Sequence, residues 1–235
     1  MRNKWLALAI MAAGLAGFIF MEAAHGIETL SPFFVSRPLA GRFIGVDAGH
    51  GGYDGGCVGA SGIEEKQLNL EVALKLKAEL EELGANVIMT RSEDIALIDP
   101  DATTGYKKRK ELSNRIAILN DAGAEMMVSI HMNEYSDPSQ RGAQVFYLKG
   151  GEACGRDLAL ALTDALHDMD DKTTRTASAG EYYILNACPA SALVECGFLS
   201  NPEEEKLLQT EKHQQRLVRA IAKGIEQYFK DASVQ

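Results

Sequence analysis

Short apolar runs alternate with helical patterns along most of this 235-residue chain, and this alternation constrains the fold more than any other feature. Strands are expected at five apolar runs, 43–46, 86–90, 126–130, 144–148 and 192–195. Helices are expected at four periodic stretches, 64–83, 111–120, 156–169 and 214–229. Strands separated by crossover helices predict an α/β fold, in which a mainly parallel twisted sheet carries helices on both faces as a three-layer sandwich.

The first residues have the pattern of an export signal. Arg2 and Lys4 precede an apolar run from Trp5 to Met21, which is short for a bilayer span of about 20 residues. Glu22 and the lack of a clean Ala-x-Ala site leave an uncleaved anchor open, so we expect the protein to be exported and either secreted or membrane-anchored. The expected organisation is a signal peptide or N-terminal membrane anchor at 1–26, a linker at 27–41, a folded domain at 42–230 and a tail at 231–235.

The charge of the chain argues against nucleic acid as a partner. Its 33 acidic and 24 basic side chains give a formal charge of −9, so no overall basic field attracts a polyanion. One basic run, 107–110, comes directly before a helical pattern. We interpret it as the solvated start of that helix.

Three of the five predicted strands end in a residue capable of metal binding or acid–base chemistry. His50 lies in a glycine-rich loop after the first strand, His131 follows Ile130 directly, and Glu195 ends the run 192–195. The ligand sites of parallel α/β sheets lie beyond the carboxyl ends of the strands. We therefore expect these three side chains to share one site.

Glu65 is a fourth candidate. It lies three residues before Leu68 and seven before Val72, so it shares the inward stripe of the first predicted helix. A carboxylate on that stripe needs a partner. The adjacent Glu64 points about 100° away and is expected at the surface.

Two neutral imidazoles and one carboxylate, with a position left for water, form a common catalytic zinc site. The residues therefore favour Zn²⁺ bound by His50, Glu65 and His131, with Glu195 as the proton acceptor and its pKa raised by apolar neighbours. The spacing matches no compact helical motif such as His-Glu-x-x-His. Hydrogen-bonded structural histidines and a phosphate-binding glycine loop thus stay open as alternatives.

The candidate residues lie in four sequence blocks that resemble the zinc-dependent N-acetylmuramoyl-L-alanine amidases of the third amidase family. The blocks are 46–52 (VDAGHGG), 64–70 (EEKQLNL), 129–133 (SIHMN) and 193–202 (LVECGFLSNP). The resemblance extends over about 43–229. The basic run and the segment 141–147 (RGAQVFY) are most similar to the sporulation and germination-specific branch of that family.

The resemblance implies a zinc ion held by His50, Glu65 and His131, with Glu195 as general base. It implies hydrolysis of the amide between the muramic acid lactyl group and L-Ala in spore cortex peptidoglycan. Targeting would then depend on N-terminal membrane association or on a partner such as an activating accessory lipoprotein. Ala48 stands where the family commonly has proline, and we expect this change to loosen the His50 loop.

Two other functions stay open from the sequence. A zinc peptidase acting on peptidoglycan stem peptides would need a charged side chain to hold a free terminus, for which Arg91 and Arg115 are candidates. A catalytically silent wall-binding protein is the other alternative. The presence of Glu195 and of all three candidate ligands argues against it.

Overall fold

The structure, a computed structural model, describes residues 37–98, 107–169 and 175–233. Its strands are β1 Phe43–Ala48, β2 Asn86–Met89, β3 Met126–Asn133, β4 Gln144–Leu148, β5 Ser178–Gly180 and β6 Ala190–Phe198. Its helices are α1 Glu65–Glu82, α2 Lys107–Asp121, α3 Ala153–Met169, α4 Pro202–Leu208 and α5 Glu211–Ala232, with a 3₁₀ turn at Tyr183–Asn186.

The six strands form one sheet in the order β2-β1-β3-β6-β4-β5. Neighbouring strands are parallel except β4 and β6, which are antiparallel. All nine residues of β6 are buried, as are most residues of β3. Central strands covered on both faces account for the continuous apolar runs in the sequence. The predicted α/β fold with a mainly parallel sheet is therefore confirmed.

Helices cover both faces of the sheet. On one face, α1, α3 and α5 enclose the larger apolar cluster, to which Val128 and Ile130 of β3 contribute. On the other face, α2 and the 3₁₀ turn pack against Met127 and Leu193. Because side chains alternate along a strand, His131 lies on the same face as Met127. The candidate site thus lies on the side of the sheet that α2 covers.

The structure contains short elements that the sequence analysis did not predict. The three-residue strand β5 and the 3₁₀ turn are too short to produce a periodic pattern. Helix α4 was also not predicted, although its sequence has a helix start signal, Asn201 at the N-cap followed by Pro202. In the structure, the Asn201 side chain accepts hydrogen bonds from the N–H groups of Glu203 and Glu204. Helix α2 begins at Lys107 rather than at 111, so the basic run forms its first turn, as expected.

The predicted signal peptide or anchor, 1–26, lies outside the described residues. Of the predicted linker 27–41, the last five residues are described, and Leu39 is fully buried and donates its N–H to Leu83 O at 3.1 Å. The folded part of the chain therefore includes these residues. Within the described ranges, no helix combines the length and the apolar character needed to cross a bilayer.

Candidate metal and catalytic site

The structure brings the four predicted site residues together at the carboxyl ends of β1, β3 and β6. His50, Glu65 and His131 each offer one ligand atom, and these atoms lie within 4.8 Å of one another. Glu65 Oε1 lies 2.9 Å from His131 Nδ1, and Glu65 Oε2 lies 3.2 Å from His50 Nε2. Glu195 on β6 is the register partner of His131 on β3. The structure thus places all four predicted residues along one cleft.

Glu65, in the first turn of α1, is fixed by three donors. These are the N–H groups of Cys57 (3.0 Å) and Met132 (3.1 Å) and the Nδ2 of Asn69 (3.1 Å). Burial alone raises the pKa of Glu65, but hydrogen bonds from the two histidines outweigh it and hold the pKa well below its usual range. The carboxylate is therefore ionised and aimed at both imidazoles. Asn69 lies one helical turn after Glu65, and this spacing in the sequence indicates that the two side chains can be in contact.

His50 lies in a left-handed backbone conformation with φ 60°, the one positive φ among the described non-glycine residues. Its Nδ1 lies 3.0 Å from Asp54 Oδ1. Burial lowers the pKa of His50, but Asp54 and Glu65 raise it to about 9, and the pKa of Asp54 falls to about 2. The electrostatics thus favour a positive charge at this imidazole. Asp54 was not predicted as a site residue.

Two buried arginines fix the loop that carries His50. Arg91 donates to the carbonyl oxygens of Ala48 and Gly49, both at 2.9 Å. Arg115 donates to the carbonyl oxygens of Ala48 at 2.7 Å and His50 at 2.6 Å. The loop is therefore tied at three successive residues, and the loosening expected from Ala48 stays a prediction.

The same contacts occupy Arg91 and Arg115, the two candidates for binding the free terminus of a peptidase substrate. Both side chains are only 2% exposed. Arg115 also pairs with Asp47 Oδ1 at 2.8 Å and with Glu111 Oε1 at 2.9 Å. Neither guanidinium group is available to a substrate, so neither can anchor a peptide terminus as the peptidase alternative required.

The glycine-rich loop provides space for the site residues. A Cβ at Gly49 would collide with the imidazole of His131, and a Cβ at Gly56 would collide with the carboxylate of Glu65. Close approach to side chains explains these glycines. The loop therefore needs no phosphate ligand to account for its composition.

Glu195 is 9% exposed, and its Oε2 is a buried atom without a hydrogen-bond partner among the described residues. Burial is the main reason that its pKa rises to about 7, and the charge of Glu65 adds to the effect. The raised pKa agrees with the sequence prediction. The Glu64 side chain is 42% exposed at the surface, with its carboxylate 3.4 Å from Lys66 Nζ.

The cluster lies in a cleft of about 360 Å³. Lys108 and Leu112 of α2 line one part of it, and Tyr182 and Tyr183 line another. Most of the charged side chains around the cleft are acidic; these are Asp47, Asp54, Glu65, Glu111, Glu134 and Glu195. A ligand that enters this cleft therefore meets an excess of negative charge.

Comparisons with known proteins agree in sequence and in fold. Residues 44–227 match the Amidase_3 family, described as N-acetylmuramoyl-L-alanine amidase. The germination-specific N-acetylmuramoyl-L-alanine amidase of Bacillus subtilis (strain 168) is 39% identical over 230 residues, which cover 96% of this chain and 94% of that protein.

Solved structures show the same likeness. The CwlD amidase from Clostridioides difficile, solved in complex with the GerS lipoprotein, superposes with a TM-score of 0.76 and 37% identity, over 81% of this chain and 99% of that one. The catalytic domain of CwlV, an N-acetylmuramoyl-L-alanine amidase from Bacillus (Paenibacillus) polymyxa var. colistinus, gives a TM-score of 0.69 and 28% identity, over 80% and 98%. The likeness covers nearly the full length of both solved chains.

Proposed function

This chain belongs to the N-acetylmuramoyl-L-alanine amidase family, and from that premise we propose that it is a zinc-dependent hydrolase of spore cortex peptidoglycan. It is a peptidoglycan amidase, and the bond cleaved joins the lactyl group of N-acetylmuramic acid to L-Ala. The observation that carries the zinc-dependent mechanism is the convergence of His50, Glu65 and His131 beside Glu195, whose Oε2 has no hydrogen-bond partner among the described residues.

The donor set fits zinc. Two imidazole nitrogens and one carboxylate oxygen are a common set of protein ligands for a catalytic zinc ion with a position left open. The carboxylates of Asp54 and Glu65 favour a positive charge at His50. A divalent cation bound to the imidazole would supply that positive charge. His50, Glu65 and His131 would therefore hold the ion, with Asn69 and Asp54 orienting two of these ligands.

A bound zinc ion polarises a carbonyl and lowers the pKa of water to about 7. Glu195 accepts the proton of the attacking water on its carboxylate and donates it to the departing L-Ala nitrogen. A pKa of about 7 suits both steps, because the group is readily protonated and deprotonated near neutral pH. The fixed loop holds His50 in place during these steps.

The spore cortex is proposed as the substrate on the strength of one relative. The germination-specific amidase of Bacillus subtilis matches this chain over almost the full length of both proteins. Hydrolysis of cortex peptidoglycan would remove the stem peptide from muramic acid and leave a lactyl carboxylate, the precursor needed for a muramic lactam. The products are a peptide with a free N-terminal Ala and a peptide-free glycan.

An accessory lipoprotein is proposed as a partner, and the cell-wall side of the membrane as the location. The CwlD amidase from Clostridioides difficile was solved with the GerS lipoprotein, which supports a partner of that kind. The apolar run 5–21 supports export across the cytoplasmic membrane, with cleavage or membrane association of the leader.

Muropeptide mass spectrometry tests the reaction. The full chain is incubated with purified spore cortex, with zinc or with a chelator, alone and with an extract of sporulating cells. Zinc-dependent release of peptides that begin with L-Ala supports the proposal. Cleavage within the stem would instead indicate a peptidase, and binding to cortex without release would indicate a silent wall-binding protein.

Variants separate the proposed roles. Glu195→Gln should lower turnover by about 100-fold to 10,000-fold with zinc content unchanged, because a general base is lost and the ligands stay. Glu65→Gln should lower zinc content, while Glu64→Gln, at the neighbouring position with a 42% exposed side chain, should keep both zinc and turnover. Normal turnover of Glu195→Gln would contradict the mechanism.

A further inference from the structure

Lys108 is an exposed cation at the edge of an otherwise acidic cleft. Lys108 and Arg115 are the lysine and arginine side chains among the described residues that line it. Arg115 is buried and pairs with Asp47 and Glu111. The Lys108 side chain is 74% exposed. Among the described residues that line the cleft, Lys108 is therefore the accessible lysine or arginine to which an anionic group could bind.

Asp54 lies between this lysine and the candidate metal ligands. Lys108 Nζ lies 3.8 Å from Asp54 Oδ2, and Asp54 Oδ1 lies 3.0 Å from His50 Nδ1. The lysine is thus separated from a candidate metal ligand by a single side chain. An ammonium group has three donors, so the long contact with Asp54 leaves Lys108 donors for a ligand.

The stem peptide brings a carboxylate close to the scissile bond. The second residue of the stem, D-glutamate, is linked to the third residue through its side-chain carboxyl group. Its α-carboxyl group therefore takes no part in a peptide bond. Two residues span at most about 7 Å, so this is the first negative charge after the cleaved amide. Among the six acidic side chains that line the cleft, such a group is favoured where it meets a cation, and Lys108 is the accessible lysine or arginine of the described lining.

We propose that Lys108 binds the α-carboxylate of D-glutamate and thereby makes the enzyme selective for stem peptides in which this carboxyl is not amidated. The inference rests on the proposed function, since it assigns a position in the same cleft to the peptide side of the substrate. It makes Lys108 a specificity-determining residue with no part in proton transfer.

Two synthetic muropeptides test this assignment. One carries D-glutamate and the other carries D-isoglutamine, in which the α-carboxyl is an amide; the rest of the molecule is identical. For the zinc-loaded full chain we expect kcat/KM to favour the carboxylate by about fivefold, the factor expected of one exposed ion pair. Lys108→Met should abolish this preference, and Lys108→Arg should retain it.

Lys110→Met is the matched control, because Lys110 lies in the same helical turn, is exposed and does not line the cleft. It should keep the wild-type preference. Equal rates on the two substrates for the wild type, or an undiminished preference in Lys108→Met, would overturn the inference and leave the amidase intact. Failure of the wild type to cleave either substrate, also with the extract of sporulating cells added, would instead overturn the proposed function.

Discussion

The imidazole of His131 fills the space in which a side chain at position 49 would lie. Gly49→Ala should therefore displace the ring, lower zinc content and reduce turnover by about 100-fold, since a shift of about 1 Å at a reacting centre can have that effect. Elemental analysis and turnover on cortex measure both consequences.

Gly62→Ala is the control for this substitution. A Cβ there meets no atom within 4 Å, although the backbone has φ 88°. It should cost roughly 1 kcal/mol of stability through backbone strain and leave zinc content unchanged. If Gly49→Ala kept full zinc content and turnover, the tight contact with His131 would not limit the site.

At the scale of the elements, α2 fastens the end of β1 through Arg115. The guanidinium group contacts Asp47 and Glu111 and two carbonyl oxygens of the His50 loop. Removing one partner of a buried ion pair leaves an uncompensated charge, which typically costs about 3–5 kcal/mol. Arg115→Met should lower the free energy of unfolding by this amount in urea titrations.

A second variant distinguishes charge from packing. Adding Asp47→Asn to Arg115→Met removes one of the stranded carboxylates, so the double variant should lose less stability than the two single losses combined. Lys149→Met removes an exposed pair with Glu181 and should change stability by less than about 1 kcal/mol. Strict additivity of the two core substitutions would show that Asp47 and Arg115 do not interact.

Periodicity predicted the elements that are long enough to show it. The five predicted strands and the four long helices are present, because each buries one stripe or both faces against the sheet. Strand β5, the 3₁₀ turn and α4 have three to seven residues. The apolar run at 86–90 still predicted β2, which has four residues. The three missed elements are instead stabilised by caps and by neighbours distant in sequence, and a local pattern contains little of that information.

At the scale of the whole molecule, Asp47 contributes to resistance to acid. Burial alone raises the pKa of Asp47, but the charge of Arg115 and hydrogen bonds from Ser129 and Thr90 lower it below its ordinary 3.8. As the pH falls, the unfolded chain takes up this proton first, so the contribution of Asp47 is complete above 3.8 and is lost as pH falls through the folded pKa.

We therefore expect the free energy of unfolding to decline below about pH 4, and to decline less steeply in Asp47→Asn. Urea titrations from acid to neutral pH on chelator-treated protein measure this without a contribution from metal release. An equally steep decline in Asp47→Asn would assign the acid sensitivity to other carboxylates.

Three of the four predicted site residues, His50, His131 and Glu195, could be predicted from the sequence because the topology brings the carboxyl ends of parallel strands together. Glu65 followed from its place on the inward stripe of α1. Asp54 and the two arginines that fix the His50 loop could not be predicted in these roles. Their contacts join segments up to 68 residues apart, and only the folded chain defines which polar atoms meet.

The two strands at the edges of the sheet, β2 and β5, contain four and three residues. Edge strands this short offer few free backbone groups to which a strand of another molecule could pair. Copies of this protein that are concentrated on peptidoglycan therefore have little opportunity to pair their edge strands and aggregate. The sheet that carries the candidate site thus also ends in edge strands that disfavour pairing with the sheet of another molecule.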